Sequence, residues 1–440
     1  VAINAGIDMS MVPYEYEEFI DNLMALVDEG QVSMSRIDDA VSKILKLKIE
    51  LGLFENPVTN PMDYDKFGSD EFKNMAYQSA AESITLLKNQ NDILPIQKGM
   101  KILVCGPNAN NMRCLNGAWS YSWQGELTDQ FASEYNTIFE AMQNRFGKEN
   151  IDFDEGVKYK EGGQYYDMLE KNIGDAVKAA SKSDIVLLCL GETSYTEKPG
   201  DINDITLHEL QLKLAKELVK SGKPIVLVLN QGRPRLITSI EQQMEAIVNI
   251  YLPGNYGADA LVDILIGNVN PSGKLPFTYP AYANSLNPYN YKPSEVQNNA
   301  QGAYNYVGEV NNLFDFGFGL SYSKFEYADF TLNKDTFVDR DELITAKVKL
   351  KNITGIDGYE VIQLYSTDSY ASITPDVKRL RAFKKVLVPA NEEVEVNLSF
   401  PAGDLSFYNY DNVSVLEQGD FQIHVGSSSS NVSTKSIYVE

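Results

Sequence analysis

DIVLLCLGETSYTEKPGD, residues 184–201, passes from an unbroken apolar run straight into a polar loop. An apolar run of that length ended by glycine reads as a strand buried on both faces, the kind found in parallel sheets covered by helices. KILVCG (101–106), PIVLVLNQG (224–232) and EAIVNIYLPG (245–254) repeat the pattern. Between these runs, apolar spacing predicts helices around 70–88, 170–182, 207–221 and 257–267. Strand and helix alternating over residues 70–285 predict an α/β domain with a largely parallel sheet. Its useful loops are expected beyond the carboxyl ends of the strands.

The pattern changes on either side. Downstream of a Pro-, Asn- and Tyr-rich connection (279–312) the apolar period drops to two in ITAKVKLKN, GYEVIQLYS, KRLRAFKKVLV, NEEVEVNLSF and GDFQIHVG, which predicts an immunoglobulin- or fibronectin type III-like β-sandwich. No aromatic pattern marks a binding face there, and buttressing is its expected work. Upstream, YEEFIDNLMALVDE (16–29) and SRIDDAVSKILKLKIELG (35–52) carry helical spacing, the second behind a capping-box-like Ser35 and Asp38. FENPVTNPMDYDKFGSD (54–70) has no periodicity and reads as a linker, with a boundary near residue 60. In AGIDMSMVPYEY (5–16), Asp8 stands at an expected strand-to-loop junction ahead of a helix, as at the catalytic end of a (β/α)8 barrel. Asp8 reads equally as a site-lining carboxylate or as an acceptor for backbone amides.

At ~100–200 residues per domain, 440 residues imply two or three domains. Thirty-eight Lys and Arg against 61 Asp and Glu leave a net charge of −23, which repels phosphate backbones and anionic lipid and excludes nucleic acid as a partner. No apolar run reaches the ~18–20 residues of a membrane span, so no membrane insertion is expected. Two distant histidines, His208 and His424, and three cysteines without CxxC spacing, Cys105, Cys114 and Cys189, form no metal or triad pattern. No cofactor, metal or disulfide is expected, and GPNANN (106–111) is not a dinucleotide fingerprint. Chemistry must come from carboxylates, aromatics, Tyr, Lys or backbone. Sequons at Asn352, Asn397, Asn412 and Asn431 arise easily in β-rich sequence of this composition.

Two loops stand out. NGAWSYSWQGE (116–126) holds both tryptophans of the chain, Trp119 and Trp123, around Tyr121. Flat rings in a polar loop suit the CH-rich face of a sugar; the alternative is packing at a domain interface. GETSYTEKPGD (191–201) carries Glu192, Glu197 and Asp201. Clustered carboxylates repel, which can keep one protonated for general acid work; the alternative is a solvated acidic loop. Spacing separates the two glutamates. Glu192 abuts the strand end, where the sheet or backbone donors hold it, while Glu197 at the middle of the loop projects into a cleft.

Read together, AGIDMSMVP, MSRIDDAVSKILKLKIELGLFENP, SAAESITLLKNQNDILPI, GAWSYSWQGE, GETSYTEKPGD, LNQGRPR, YLPGNYGADALVDILIGNVNPSGKLPFTYP and FDFGFGLSYSKFEY closely resemble the glycoside hydrolase family 3 β-glucosidases. The likeness spans essentially all 440 residues and is to the branch with an exo-β-glucanase-like core and a C-terminal fibronectin type III-like domain. It implies a retaining mechanism with two carboxylates, a barrel Asp as nucleophile and a sandwich-loop Glu as acid/base. The family's G-E-x-x-Y-[TA]-E stretch puts that acid/base on Glu197, and the branch's paired tryptophans, which clamp the departing sugar, fall on Trp119 and Trp123. Tyr195, Asp8 and Asp201 complete the residues expected to contact substrate.

The departure from the family is the absence of its S-D-W nucleophile motif, which occurs nowhere in this sequence. Asp8 belongs to a different motif and does not replace it. The fold class expected is therefore the end of a (β/α)8 barrel (1–60), an α/β sandwich domain with a largely parallel sheet (61–285), a connecting segment (286–325) and a fibronectin type III-like β-sandwich (326–440). The expected function is hydrolysis of terminal β-D-glucosyl residues once joined to an upstream barrel, the chain alone being inactive. β-Xylosidase, N-acetylglucosaminidase or phosphorylase activity, or a non-catalytic sugar-binding module, are the rival readings. Family habit and acidic character place the protein in the periplasm or outside the cell, with its signal upstream of Val1, and include a homodimer among the expected states.

Overall fold

A computed structural model describes residues 1–285, 288–292 and 312–440. Much of the connecting segment expected at 286–325 therefore lies outside the described residues. The chain divides into two compact units, Val1–Phe72 and Lys73–Glu440.

The first unit carries α1 (Tyr16–Asp28) and α2 (Met34–Glu50). The Ser33 hydroxyl accepts the Arg36 N–H at 3.2 Å and caps α2. The strand expected ahead of Asp8 does not form. Residues 2–6 make turns and residues 7–15 form no regular element, since a lone strand has no neighbour for its backbone groups. Arg36 instead draws in the carbonyls of Ile3 (2.8 Å) and Ile7 (3.1 Å). Ile20, Met24, Leu45 and Leu47 of these helices remain exposed.

The second unit opens within α3 (Asp70–Ser83), from Lys73 on, and continues into a six-stranded sheet of β1 (Thr85–Asn89), β2 (Ile102–Cys105), β3 (Ile151–Asp154), β4 (Ile185–Gly191), β5 (Ile225–Asn230) and β6 (Ala246–Asn249), in the order β1-β6-β5-β4-β2-β3. All neighbours are parallel except β1 against β6. The helix expected over 70–88 thus stops at Ser83. Ile84, Thr85, Leu86 and Leu87 are fully buried as an edge strand, where β-branched residues and ladder pairing with Asn249 outweigh helical spacing.

Alternate strand residues face opposite layers. Ile102, Val104, Leu187, Val226 and Val228 pack with α4 (Met112–Asn116), α5 (Ile138–Phe146) and α8 (Gly257–Leu265), among others. Leu103, Cys105, Val186, Leu188 and Leu227 pack with α6 (Ile173–Ala180) and α7 (Glu209–Val219). This double cover explains the unbroken apolar runs, and the cysteines are core residues whose thiols burial pushes up, Cys114 to about 12.

A β-sandwich follows, with a three-stranded sheet of Phe325–Leu332, Leu343–Asn352 and Glu393–Pro401 facing a five-stranded one that includes Gly358–Asp368, Arg379–Val388, Gly419–Gly426 and Val432–Val439. It is bolted to the α/β layers by a buried ion pair between Lys274 and Glu360 (3.2 Å), to which the Tyr327 hydroxyl also donates (3.0 Å). Asn352, one of the four sequons, is fully buried and donates to the Ile356 and Val388 carbonyls, so it cannot accept a glycan as folded. Tyr370, Phe383, Tyr408 and Tyr410 are exposed, aromatics that period two alone does not distinguish from core positions.

Candidate active site

Both loops singled out in the sequence lie at the carboxyl end of the parallel strands, and the fold brings them together. The first leaves α4 at Gly117 and closes on itself. The Trp119 N–H donates to the carbonyls of Ser122 (3.0 Å) and Trp123 (3.2 Å), with Trp119 at φ +59°. Glu126 ties the loop from within, accepting from the Ser122 hydroxyl (2.9 Å) and the Gln124 N–H (3.1 Å). Its own backbone N–H and then Ser122 hold that carboxyl below the usual range. Trp119 is 65% and Trp123 47% exposed, whereas Tyr121 is half-buried and stacks on Phe131, just beyond the loop. Gly125, at φ +75°, permits the closest approach to the second loop: a Cβ there would lie 2.5 Å from the Ser194 hydroxyl.

In the second loop the two glutamates have opposite surroundings. Glu192 is 6% exposed and fully engaged. Its Oε1 accepts from Arg235 Nη2 (2.5 Å) and Nε (2.6 Å) and from the Tyr195 hydroxyl (2.5 Å), and its Oε2 accepts the Arg233 N–H (3.3 Å). Burial alone would lower the Arg235 guanidinium; the Glu192 charge outweighs it and the net shift is upward. Burial, and then Glu192, holds the Tyr195 phenol well above its ordinary value, so it stays a donor. The Tyr195 ring lies 4.3 Å from that of Tyr165 and carries the Arg233 guanidinium 5.1 Å from its centroid.

Glu197 is exposed, and its carboxylate makes no hydrogen bond or ion pair to any described residue. Its backbone sits at φ +54°, ψ −143°, a region that costs a residue with a side chain ~1–3 kcal/mol and persists only when surroundings enforce it. Asp201, four residues on, lines a cavity of about 540 Å³ with Tyr159, Tyr165, Tyr166, His208 and Arg235.

Of the residues expected at a site, the structure therefore gathers Trp119, Trp123, Tyr195, Glu197 and Asp201 on neighbouring loops. Tyr195 departs from expectation in role, since its hydroxyl is engaged by Glu192. Asp8 departs further. Within the first unit its carboxylate accepts from Arg36 Nη2 (2.6 Å) and Lys43 (3.4 Å), not from backbone amides, and the Arg36 hydrogen bond holds it below the usual carboxylate range. Sequence reasoning gave no role to Arg113, Gln124, Arg233 or Arg235. The only signal for the last two was a pair of arginines in LNQGRPR, directly after a buried strand, where an acid must neutralise them.

The profile of the glycosyl hydrolase family 3 C-terminal domain matches residues 84–322, more than half of the chain. The chain belongs to glycoside hydrolase family 3. The fibronectin type III-like profile matches residues 360–429 and that of the family 3 N-terminal domain residues 1–47. This family 3 chain is 36% identical to the lysosomal beta glucosidase of Dictyostelium discoideum, over 97% of its own length and 52% of that protein. It is 32% identical to the periplasmic beta-glucosidase of Salmonella typhimurium (98% and 59%) and 30% identical to a beta-xylosidase of Formosa agariphila (98% and 59%). A beta-glucosidase from Listeria innocua, solved with glucose, superposes with a TM-score of 0.84 at 30% identity, covering 100% of this chain and 59% of that one. The chain spans a little over half the length of these relatives. Among the described residues, no helix is long and apolar enough to cross a membrane.

Proposed function

We infer that this chain supplies the proton-handling half of a retaining, exo-acting β-glucosidase. The observation that carries the reading is the contrast between the two loop glutamates: Glu192 is locked by Arg235, and the Glu197 carboxylate is exposed, without a partner among the described residues, on a loop that Gln124 ties to the one carrying both tryptophans. In the mechanism proposed, a terminal glucosyl unit meets a nucleophilic Asp supplied by the family 3 N-terminal domain. The Glu197 carboxyl gives its proton to the glycosidic oxygen as that bond breaks and the Asp bonds to the anomeric carbon. The Glu197 carboxylate then takes a proton from water, whose oxygen attacks that carbon and releases the Asp. Trp119 and Trp123 stack the departing sugar, and Asp201 offers acceptors to its hydroxyls. Tyr195 supports the loop through Glu192, and Asp8 anchors α2.

The similarity to proteins named β-glucosidases supports the substrate class, and the relative named beta-xylosidase makes xylosides the first alternative to measure. In this reading residues 1–60 belong to the barrel, which suits the exposed apolar side chains of α1 and α2. Residues 61–285 carry the acid/base loop, 286–325 connect, and 326–440 buttress.

The test joins this chain to a complete family 3 N-terminal domain. The product is expected to release p-nitrophenol from the β-glucoside faster than from the β-xyloside. Glu197→Ala is expected to lose that activity and regain turnover with azide. Wild-type rates in Glu197→Ala would overturn the assignment.

A further inference from the structure

Thr196, the residue immediately before Glu197, is gripped by a side chain from the other loop. The Gln124 carboxamide accepts the Thr196 N–H at Oε1 (3.0 Å) and donates from Nε2 to the Thr196 carbonyl (3.2 Å). A neighbouring strand pairs a residue in the same two-bond way; here one side chain does it. The splint is itself braced. The Gln124 carbonyl accepts from the Ser194 hydroxyl (2.5 Å) and from Arg113 (3.1 Å), and Arg113 donates further to the Ser194 hydroxyl (2.6 Å) and carbonyl (3.3 Å). Five hydrogen bonds thus cross between Arg113 and Gln124 on one side and Ser194 and Thr196 on the other. On the far side of Glu197, its carbonyl accepts the Gly200 N–H (2.7 Å), and Arg233 holds the Gly200 carbonyl (2.5 Å).

Chain order makes this arrangement specific. Trp123 directly precedes Gln124, and Thr196 directly precedes Glu197. Pairing Gln124 with Thr196 therefore ties the backbone next to Trp123 to the backbone next to Glu197, and with the Gly200–Glu197 turn it flanks the positive φ at Glu197 on both sides.

We propose that Gln124 is a positioning residue: its carboxamide holds Glu197 at the distance from Trp123 at which a proton reaches the oxygen of a glycosidic bond whose leaving sugar is stacked on that ring. This rests on Glu197 being the acid/base. General acid catalysis needs donor and acceptor heavy atoms ~2.6–3.2 Å apart, and a displacement of about 1 Å costs about 10²-fold in rate. Neither Gln124 polar atom is needed to touch substrate.

The experiment compares two leaving groups in the polypeptide that unites this chain with a complete family 3 N-terminal domain. Gln124→Ala is expected to lower kcat/KM for cellobiose, whose leaving alkoxide needs the proton, by about 10²-fold. It is expected to change little for 2,4-dinitrophenyl β-glucoside, whose leaving group departs without one. Gln124→Glu keeps the acceptor for the Thr196 N–H but loses the donor, and is expected to fall between. In the present chain, whose only tryptophans are Trp119 and Trp123, Gln124→Ala is expected to lower tryptophan fluorescence anisotropy without changing far-ultraviolet circular dichroism.

Equal losses on both substrates, or no loss on either, would overturn the role of Gln124. Glu197→Ala measured alongside separates the two failures. If Glu197→Ala shows the leaving-group dependence and Gln124→Ala does not, the positioning role alone fails. If Glu197→Ala lacks it, the acid/base reading fails and takes the inference with it.

Discussion

At the carboxyl end of the parallel sheet, Glu192 is neutralised by Arg235 while the Glu197 carboxylate, five residues along the same loop, has no partner among the described residues; in the β-sandwich, both Glu360 and His424 are buried and both are paired. His424 lies between the hydroxyls of Thr367 and Thr434, each 2.8 Å from a ring nitrogen. Glu360 has Lys274 and Tyr327. Glu360 joins the sandwich to the α/β layers, His424 ties three neighbouring strands of one sheet, and neither site is left open. The loop above the sheet uses one carboxylate to fix its own shape and leaves the next one available. That asymmetry within eleven residues is the reason for placing chemistry at the loop and support in the sandwich.

The strongest challenge to this comparison is to exchange the fates of the two loop glutamates. Glu197→Ala, in the polypeptide completed with an N-terminal domain, is expected to lower kcat by about 10²–10⁴-fold. Its unfolding free energy in urea is expected to stay within ~0.5 kcal/mol of the parent, since no described contact is lost. Glu192→Ala is expected to show the opposite emphasis. It strands the Arg235 guanidinium in a buried site and costs about 3–5 kcal/mol in the same urea titration. A destabilised Glu197→Ala and an undisturbed Glu192→Ala would dissolve the contrast.

The sandwich side is sharpened by a double-mutant cycle. Glu360→Leu alone leaves Lys274 buried without its counter-charge and is expected to cost about 3–5 kcal/mol. Adding Lys274→Met is expected to recover most of that loss in chemical denaturation, because the apolar pair needs no solvation. Failure to recover would mean that the ion pair is not what bolts the sandwich to the α/β layers.

His424 supplies the smallest effect and a pH signature. Burial, and then the Lys378 charge, push its imidazole down from 6.5 to about 4. Its folded value lies below its unfolded value, so the unfolded chain takes up the proton first as pH falls. The contribution to stability is present above about pH 6.5 and is lost between there and about pH 4, at up to about 1.4 kcal/mol per pH unit. His424→Gln is expected to flatten the unfolding midpoint measured across that window; an unchanged slope would assign the acid sensitivity elsewhere. Asp263 adds in the same direction at lower pH. Burial raises its carboxyl, but hydrogen bonds from Arg145, Tyr77 and Asn268 outweigh this and leave it lowered.

Much of the α/β layer was legible in the sequence because strands covered on both faces must be apolar at every position, as Ile185–Gly191 and Ile225–Asn230 are. Thr85–Asn89 was not, because an edge strand that directly follows a helix offers no break in the apolar pattern to mark the change. The supposed strand before Asp8 failed for the complementary reason: apolar residues without a pairing neighbour make turns. At the site, Glu197 was preferred over Glu192 from position relative to a strand end. The expectation that the sheet or backbone donors would hold Glu192 is met in part by the Arg233 backbone N–H; the Arg235 guanidinium and the Tyr195 hydroxyl are the holders it left out.

What this sequence determined by itself are the properties carried by local pattern: which runs are buried, where helices and strands alternate, which two loops concentrate tryptophans and carboxylates, and a net charge of −23. Only the tertiary structure decided which of those groups are free. Gln124 and Thr196 are 72 residues apart, and Glu192 and Arg235 are 43 apart. Hydrogen bonding and charge neutralisation act over a few ångströms in space and are indifferent to separation along the chain. A residue's availability is therefore settled by what folding brings beside it.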